Sequence, residues 1–456
     1  MKILFAASEI FPYAKSGGLA DVAAALPKAL NSLAEVFSVM PLYGFMDQND
    51  FALAESFMLT HAKKKYKIEI LQKGETYFIK APYLSDTPNL YGDKNGDYKT
   101  NDLRFSLFCK AVVWLAKSLH VELLHLNDWH TALCAYYVKE QKIKIKTIFT
   151  IHNLAYQGVF DFSSLHTLGI KESDFGMDGV EFYSKINLLK AGIAYSDIVT
   201  TVSPSYADEI LTAEFGCGLE GFLNYHKAKL YGVLNGIDTM VFDPSSDISL
   251  ALKYATIEEK YKNKVALLKS SKLKDPRRSL FVMIGRLAEQ KGIELLLKSI
   301  NLILEQNLNL YIIGEGEERY SQEFEKLAKE HQNFEFYKGY DETFSHKLYA
   351  AADFLIMPSR FEPCGLSQFI AMRYGAIPIV HAVGGLKDSV HEKSEKCGRG
   401  VVFAKYNKSS FEKAILRALK LKKETKKIRE LVQYNMQCDF SFETSAKTYF
   451  NLYKTL

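Results

Sequence analysis

Residues 279–292 of the chain are SLFVMIGRLAEQKG, a stretch in which a short apolar run is followed at once by a charged loop. The run at 280–284 predicts a buried strand that ends at Gly285, with Arg286 and Lys291 in the loop after it. Apolar residues then recur at three- and four-residue spacing between residues 293 and 304, which predicts a helix. The stretch therefore indicates one strand–loop–helix unit.

The same unit recurs in both halves of the chain. Further strand candidates are 308–313, 333–337, 353–357 and 377–381 in the C-terminal half, and 2–7, 123–127, 147–152 and 198–203 in the N-terminal half. Short apolar strands that alternate with helices are typical of parallel sheets in α/β domains. Because ligands of such sheets bind beyond the carboxyl ends of the strands, the polar residues that follow each strand are the candidate site residues.

Length and composition exclude several classes of protein. The 456 residues are about three times the length of an average domain, so at least two cores are expected. A net charge of only +5 argues against a nucleic-acid partner, and no apolar run approaches the ~20 residues that span a bilayer, so no membrane partner is expected. The six cysteines form no CxxC pair, and we expect reduced thiols rather than disulfides or a zinc site. These features predict a cytoplasmic globular protein.

A glycine pair follows the first strand candidate in the sequence KSGGLAD at 15–21. Glycines let a ligand approach the backbone, a helix N-terminus offers N–H groups, and Lys15 adds a positive charge. A diphosphate is the natural occupant, although a plain surface turn with a lysine explains the residues equally well. The pattern Gly-Gly-Leu-x-Asp returns as GGLKD at 384–388, which supplies one such turn to each half of the chain.

Two loops of the C-terminal half carry charged residues at predicted strand ends. Arg286 and Lys291 could neutralise a leaving diphosphate there, although an exposed charged loop is the simpler alternative for either residue. The sequence SRFEPCGLSQ at 359–368 follows another strand candidate and places Glu362 ahead of a helix that begins near Gly365. Glu362 is a candidate for binding sugar hydroxyls, whereas Cys364 is better explained as a small buried thiol than as a nucleophile.

Histidine and aspartate residues follow two strand candidates of the N-terminal half: His125, Asp128 and His130 at one, and His152 at the next. A metal site is poorly supported, because the chain has no HExxH and no Asp-x-Asp sequence. A polar wall that hydrogen-bonds sugar hydroxyls is the better functional interpretation, and a buried histidine is an equal alternative for His125 and His130. The sequence GEGEER at 314–319 lacks the third glycine of the dinucleotide fingerprint, which argues against an NAD-dependent enzyme.

Several segments resemble the motifs of bacterial glycogen synthases and plant starch synthases. The resemblance covers nearly the whole chain, and its segments are KSGGLADV at 15–22, DWH at 128–130, IHNLAYQG at 151–158, VSPSY at 202–206, FGCGLEG at 215–221, LNGID at 234–238 and RFEPCGL at 360–366. It implies an α/β protein of the GT-B fold, with two Rossmann-like domains and a deep interdomain cleft. We expect the acceptor-side domain at 1–238, the donor-nucleotide domain at 239–437, and a final helix at about 438–456 that packs back on the first domain.

The resemblance implies transfer of glucose from ADP-glucose to the non-reducing end of an α-1,4-glucan such as glycogen, with retention of configuration and without a cofactor or metal. The expected catalytic residues are Arg286 and Lys291 at the diphosphate, Glu362 at the donor glucose, and Asp128 and His152 at the sugar site. The expected donor-binding residues are Lys15, Gly17, Gly18, Asp21, Cys364, Gly365, Leu366, Gly384, Gly385 and Leu386. The oligomeric state is left open.

The chain departs from the family pattern at a few positions. Ser16 stands where threonine is common, Ser389 replaces threonine, and residues 31–41 lack the Gly-His sequence that usually starts the second strand. His381 and Val383 stand where arginine and threonine are usual. The missing hydroxyl at Val383 removes a possible hydrogen bond to the donor and leaves UDP-glucose as an alternative to ADP-glucose.

Two other functions compete with this interpretation. Other retaining GT-B transferases usually carry a second glutamate eight residues after the one that matches Glu362, and this chain has Ile370 there. A catalytically inactive glucan-binding protein would be expected to lose some of the charged residues of the motifs. The chain retains all of them: Lys15, Arg286, Lys291 and Glu362.

Overall fold

The computed structural model describes residues 1–392 and 398–456, which form two compact units. Unit 1 comprises Met1–Asn235 together with Phe442–Leu456, and unit 2 comprises the described residues of Gly236–Ser441. The chain thus leaves unit 1 after Asn235 and returns to it at Phe442, a few residues from the positions 238 and 438 expected from the sequence.

Strands and helices alternate along the chain. The strands are β1 (Lys2–Ala6), β2 (Glu35–Pro41), β3 (Ala52–His61), β4 (Lys64–Lys73), β5 (Thr76–Lys80), β6 (Gly92–Asp93), β7 (Gly96–Asp97), β8 (Leu123–Asn127), β9 (Lys146–Ile151), β10 (Val159–Asp161), β11 (Glu181–Phe182), β12 (Lys185–Asn187), β13 (Ile198–Thr201), β14 (Leu230–Gly232), β15 (Ser279–Ile284), β16 (Leu308–Gly314), β17 (Phe334–Lys338), β18 (Phe354–Met357), β19 (Ile377–His381) and β20 (Val401–Phe403). The α-helices are α1 (Gly18–Leu30), α2 (Asn101–Ser118), α3 (Trp129–Glu140), α4 (Leu188–Tyr195), α5 (Pro204–Glu209), α6 (Glu220–Tyr225), α7 (Ile257–Lys269), α8 (Ile293–Glu305), α9 (Glu318–Glu330), α10 (Glu342–Ala351), α11 (Ser367–Arg373), α12 (Gly384–Ser389), α13 (Lys408–Lys423), α14 (Thr425–Gln437) and α15 (Phe442–Tyr453).

Unit 2 is built on a parallel sheet in the strand order β17-β16-β15-β18-β19-β20. Counted from its first strand, this order is 3-2-1-4-5-6, the doubly wound arrangement. The direction of winding reverses between β15 and β18, which are hydrogen-bonded neighbours. The loops that leave the carboxyl ends of these two strands therefore border the crevice in which such sheets bind ligands.

Unit 1 repeats this arrangement in a larger sheet of order β14-β13-β9-β8-β1-β2-β5-β4-β3. The strands from β14 to β5 run parallel, and β4 and β3 extend the sheet as antiparallel strands. The winding reverses between β1 and β8. Residues that follow these two strands therefore take the same place in unit 1 that the loops after β15 and β18 take in unit 2.

The first strand is apolar at successive positions because both faces of its sheet are covered. Ile3 and Phe5 belong to one hydrophobic cluster, whereas Leu4 and Ala6 belong to the cluster on the opposite face. The C-terminal helix α15 contributes to the first of these clusters through its buried residues, among them Tyr453. In unit 2, α8 buries the residues predicted from its spacing, including Leu296, Ile300 and Ile303.

The cysteines meet the expectation of reduced thiols only in part. The cysteines at 109, 134, 217 and 364 are free, whereas Cys438 is disulfide-bonded, so the expectation of reduced thiols is wrong for Cys438. A disulfide depends on which cysteines the fold brings together, and spacing along the sequence does not show this. Cys397 lies outside the described residues.

Within residues 1–392 and 398–456, no helix has both the length and the apolar character needed to cross a membrane.

Candidate active site

An ion pair joins the loops that leave β15 and β18 in unit 2. Lys291 Nζ lies 2.9 Å from Glu362 Oε1 and 2.7 Å from Oε2. Ser359 Oγ donates a further hydrogen bond of 3.0 Å to Glu362 Oε2. The Glu362 side chain is 5% exposed and that of Lys291 is 22% exposed, so a buried carboxylate is paired with a cation that still reaches the surface. The structure thus brings together two of the residues predicted for catalysis.

The other predicted cation of this loop, Arg286, is exposed two residues after the end of β15. The loop that carries it is held to the next one by Arg360, whose N–H donates to the Gln290 carbonyl (2.9 Å) and whose guanidinium pairs with Glu289 (2.5 Å). Lys291 gives two hydrogen bonds to Glu362, and its third ammonium proton has no partner among the described residues. The loop therefore presents positive charge at the carboxyl edge of the sheet.

The predicted donor-binding glycines of unit 2 lie close together, partly for reasons of packing. A Cβ atom on Gly385 would lie 2.3 Å from the Cys364 carbonyl oxygen, so only glycine fits there. The Gly385 N–H donates to the Glu362 carbonyl (3.0 Å) and the Leu386 N–H to the Val383 carbonyl (3.1 Å). The segments 362–366 and 383–386 thus form one framework beneath Glu362.

Within that framework, the side chains of Cys364 and Leu386 are buried, and Leu366 directly precedes α11. Gly365 has a φ of +75° and Gly384 a φ of +45°, which favours glycine at both positions. Sequence reasoning missed Gln368, whose Nε2 donates to the carbonyls of Cys364 (3.1 Å) and Gly365 (3.0 Å). Buried side-chain amides of this kind carry no motif signal and are found only from the fold.

His381 and Val383, the two residues of this region that depart from the family pattern, have different contacts. His381, at the end of β19, donates from Nδ1 to the Ser359 carbonyl (2.8 Å) and so ties a third strand end to the Glu362 loop. Val383 precedes α12 and offers no side-chain acceptor to the first turn of the helix. His381 therefore supports the position of Ser359, whereas Val383 adds only apolar packing.

In unit 1, the predicted anion turn connects β1 to α1. Lys15 Nζ lies 2.8 Å from Asp21 Oδ1, and the two side chains are each 22% exposed. Gly17 and Gly18 are exposed, and α1 begins at Gly18. A Cβ atom on Gly17 would meet no other atom within 4 Å, so the packing of the protein does not require glycine there. The open backbone is available to a ligand.

Asp128 and His152, at the ends of β8 and β9, are held in contact. Asp128 has a positive φ of 56° and accepts a hydrogen bond from the His152 N–H (2.7 Å). The His152 ring donates from Nε2 to Asn127 Oδ1 (2.8 Å), so its other nitrogen is an acceptor. A strained backbone at a non-glycine residue costs about 1–3 kcal/mol and persists where its surroundings over-determine it, as they do at many functional sites.

Burial shifts the pKa values of both side chains toward their neutral forms. Loss of water raises the pKa of Asp128 to about 7, and the charge of Glu9 adds to this, while the N–H groups of His152 and Asn153 oppose it. Loss of water lowers the pKa of His152 to about 3. Near neutral pH the site therefore holds a neutral imidazole beside a carboxyl group whose pKa is raised toward neutrality.

The two other histidines at this edge, His125 and His130, are surrounded by protein side chains. His125 is fully buried, and its ring nitrogens bond Tyr453 Oη and Thr150 Oγ1, each at 2.7 Å. His130 is stacked on Trp129 with ring centroids 3.9 Å apart, and burial lowers its pKa well below the usual value. Residues 1–392 and 398–456 contain no group of three or more His, Cys, Asp or Glu side chains arranged to hold a metal ion.

Sequence reasoning missed an aromatic pocket of about 560 Å³ in unit 1. Its lining combines aromatic and polar side chains: Asp97, Tyr98, Lys99, Asn101, Trp129, Tyr156, Gln157 and Phe160. Gly158 leaves room for Trp129, since a Cβ atom there would lie 2.4 Å from the indole ring. The motif IHNLAYQG at 151–158 contained the signal, but only the fold shows that Tyr156 is 52% exposed and faces a pocket.

Comparisons with known proteins agree with this architecture. The profile of the starch synthase catalytic domain matches residues 2–225, and that of glycosyl transferases group 1 matches residues 265–433. The catalytic domain of starch synthase IV from Arabidopsis thaliana, solved bound to ADP and acarbose, superposes with a TM-score of 0.90 at 33% identity, over 100% of this chain and 98% of that one. The chain is therefore a two-domain α/β glycosyltransferase of the GT-B fold.

Full-length relatives define the family more closely. The glycogen synthase of Aquifex aeolicus is 40% identical over 100% of this chain and 99% of its own length. That of Thermodesulfovibrio yellowstonii is 36% identical over 100% of this chain and 98% of its own length. The chain belongs to the glycogen and starch synthase family. A sucrose-phosphate synthase from Thermosynechococcus elongatus, with a TM-score of 0.65 and 18% identity, shares the fold.

We predict that Asp128→Asn changes how the stability of unit 1 depends on pH. A carboxyl group whose folded pKa is raised stabilises the fold below its unfolded pKa of about 4, and this contribution is lost as the pH rises through about 7. The asparagine variant lacks this contribution. The free energy of unfolding of the wild type, relative to that of the variant, therefore falls by about 2–4 kcal/mol between pH 4 and pH 8.

The measurement is urea unfolding followed by tryptophan fluorescence, because both tryptophans, Trp114 and Trp129, lie in unit 1. His125 and His152 have lowered pKa values and give the opposite slope, but they do so in both proteins and cancel in the difference. A difference that stays constant from pH 4 to pH 8 contradicts the assignment.

Proposed function

We propose that the protein is a glycogen synthase that transfers glucose from ADP-glucose to the non-reducing end of an α-1,4-glucan, with retention of configuration. The observation that carries the proposal is the Lys291–Glu362 pair at the strand-order reversal of unit 2, in a chain that matches glycogen synthases over its full length. We also propose that the protein acts in the cytoplasm and binds neither nucleic acid nor a membrane.

The charges of unit 2 fit the needs of the donor. When the bond from the glucose C1 atom to the diphosphate breaks, the electron pair stays on the phosphate oxygen, and nearby cations stabilise the charge that develops there. Arg286 and the unpaired proton of Lys291 supply this stabilisation in the proposed reaction. Glu362, fixed by Lys291 and Ser359, is oriented to accept hydrogen bonds from the donor glucose.

The assignment of ADP as the nucleotide has separate support. The starch synthase IV structure, which shares 33% of its sequence with this chain, was solved with ADP. In unit 1, Lys15 and the exposed backbone at Gly17 and Gly18 offer a cation and N–H groups, which suits the phosphates of a nucleotide donor. His152 presents a neutral ring and Asp128 a carboxyl group with a raised pKa, which suits sugar hydroxyls better than phosphate.

The acceptor glucan is assigned to the aromatic pocket of unit 1. Aromatic rings stack on the apolar faces of sugars, while polar neighbours bond the hydroxyls, and the pocket contains both kinds of side chain. In the proposed complex, the indole N–H of Trp129, which lines the pocket, donates to a glucan hydroxyl.

Glucan extension tests the proposed reaction directly. Purified protein is given glycogen and labelled ADP-glucose or UDP-glucose in parallel, with EDTA present, and both incorporation and nucleotide release are measured. We expect incorporation that prefers ADP-glucose and survives EDTA, because cationic side chains neutralise the leaving group. Preference for UDP-glucose would overturn the donor assignment and direct attention to Val383, and folded protein that extends glycogen with neither donor would contradict the reaction.

We predict that Glu362→Ala and Lys291→Ala each lower kcat by about 100-fold or more, since each removes one half of a preorganised pair. The double variant should lose far less than the product of the two effects, because the residues act as a unit. Initial rates with ADP-glucose give the values, and circular dichroism checks the fold. Lys338→Ala, which breaks an exposed ion pair with Glu318 in the same unit, is the matched control. Near wild-type turnover in Glu362→Ala would contradict the assignment.

We predict that Tyr156→Ala raises the glycogen concentration for half-maximal rate by about 2- to 10-fold and leaves the KM for ADP-glucose unchanged, because one stacking ring is lost. Tyr156→Phe keeps the ring and should behave like wild type. Tyr225→Ala removes an exposed aromatic side chain of unit 1 outside the pocket and serves as the control. Equal effects of the two alanine variants would contradict the acceptor assignment.

A further inference from the structure

Glu9 is a buried carboxylate that sequence reasoning did not assign. It lies three residues after the end of β1, at the strand-order reversal of unit 1, and is 3% exposed. Burying an ionised carboxylate is costly unless hydrogen-bond donors surround it. A carboxylate buried at this position therefore needs specific hydrogen-bond partners.

The partners of Glu9 come from two separate segments. Its Oε2 accepts a very short hydrogen bond from the Ser16 N–H, and its Oε1 accepts one of 2.6 Å from Ser16 Oγ. Tyr91 Oη donates to the same Oε1 atom at 2.6 Å and also bonds Ser8 Oγ at 2.8 Å. Glu9 thus ties the turn at 15–18 and the loop at Tyr91 to the end of β1.

Glu9 is unsuited to contact substrate itself. A carboxylate offers about four lone-pair sites, and donors within the protein occupy three of them. The remaining side-chain surface is almost wholly buried. Its influence on a ligand therefore passes through the segments that it holds.

The turn that Glu9 holds is the one with the open backbone. Ser16, Gly17 and Gly18 are exposed, and a Cβ atom on Gly17 would meet no other atom within 4 Å, so packing does not fix the conformation there. Glycine pairs lose the most conformational freedom on ordering, so a turn of this kind needs an anchor to present its N–H groups in one arrangement. The Lys15–Asp21 pair is partly exposed and weak by itself.

We propose that Glu9 is a positioning residue, which fixes the turn at 15–18 through Ser16 so that Lys15 and the Gly17–Gly18 backbone are held ready for the donor. The inference rests on the proposed function, in which this turn contacts ADP-glucose. It adds a residue that acts on donor binding without touching the donor.

Two substitutions at Glu9 separate its geometry from its charge. Glu9→Ala removes all three hydrogen bonds. Glu9→Gln is neutral but keeps an oxygen to accept from the Ser16 N–H, and its amide can donate to a hydroxyl of Ser16 or Tyr91. Positioning by hydrogen bonds therefore predicts rescue by glutamine. Glu75→Ala, which removes an exposed carboxylate bonded to Asn31 in the same unit, is the matched control.

Amide hydrogen exchange in the full chain gives a readout that does not depend on activity. We expect exchange at Ser16 to be about 10- to 100-fold faster in Glu9→Ala, because a charge-assisted hydrogen bond protects this exposed amide in the wild type. Exchange in the Glu9→Gln and Glu75→Ala variants should stay near wild type. Unchanged exchange at Ser16 in Glu9→Ala overturns the proposal.

Kinetics with ADP-glucose and glycogen supply the second readout. We expect Glu9→Ala to raise the KM for ADP-glucose by about tenfold, with the glycogen dependence unchanged and with recovery in Glu9→Gln. A purely structural role would lower the active fraction and hence the apparent kcat, without a selective change in donor KM.

Lys15→Ala distinguishes the two ways in which the inference can fail. If Lys15→Ala raises the donor KM and Glu9→Ala does not, the positioning role of Glu9 is wrong while the donor contact of the turn stands. If neither variant changes the donor KM, the donor contact assigned to the turn under the proposed function is wrong, and the role inferred for Glu9 falls with it.

Discussion

The reversal of strand order within each parallel sheet is the constraint on which the candidate site depends. At such a reversal, the connections after two neighbouring strands leave toward opposite faces of the sheet, and the space between them stays open to a ligand. In unit 2 the reversal separates β15 from β18, which carry Lys291 and Glu362 in the loops beyond them. In unit 1 it separates β1 from β8, which lead to Glu9 and Asp128. The candidate site residues therefore lie in or directly before the loops that follow these strands, where the winding of the chain leaves space for a ligand.

Three buried carboxyl groups at these positions are accommodated in three different ways. Glu362 is compensated by the ammonium group of Lys291, Glu9 by three hydrogen-bond donors, and Asp128 by backbone N–H groups together with a pKa raised to about 7. An ion pair keeps its charge and orientation, hydrogen-bonded hydroxyls fix neighbouring segments, and a raised pKa leaves a group able to donate or accept. These differences in surroundings suit the three carboxyl groups to the different tasks proposed for them: donor binding, positioning and contact with sugar hydroxyls.

The parallel sheets were predictable from the sequence because both of their faces are covered. Strands such as β1 and β15 are then apolar without alternation, and short apolar runs of this kind stand out between helices. The resemblance to the family pointed to Lys291 and Glu362 as separate site residues, and the structure adds that they form an ion pair. The extension of the first sheet by β3 and β4 was not predicted, since most of β3 is exposed and no apolar run in it is longer than three residues.

Other features of the site depend on contacts between distant segments and leave no local pattern. Glu9 meets Tyr91 across 82 positions of the sequence, and Cys364 meets Gly385 through a close backbone approach that only glycine allows. The role of Gly385 shows the limit of motif reasoning, because the same Gly-Gly-Leu sequence is exposed at Gly17 and Gly18 and buried at Gly384 and Gly385. Burial, and not the sequence pattern, separates the two.

Hydrogen exchange of the full chain with and without ADP tests most directly whether the strand-order reversal defines the nucleotide site. We expect slower exchange with ADP in segments 285–292 and 359–366, after β15 and β18, and no change at the opposite edge of the sheet, around residues 306–309. Protection confined to that opposite edge, or to residues 314–319 after β16, would contradict it.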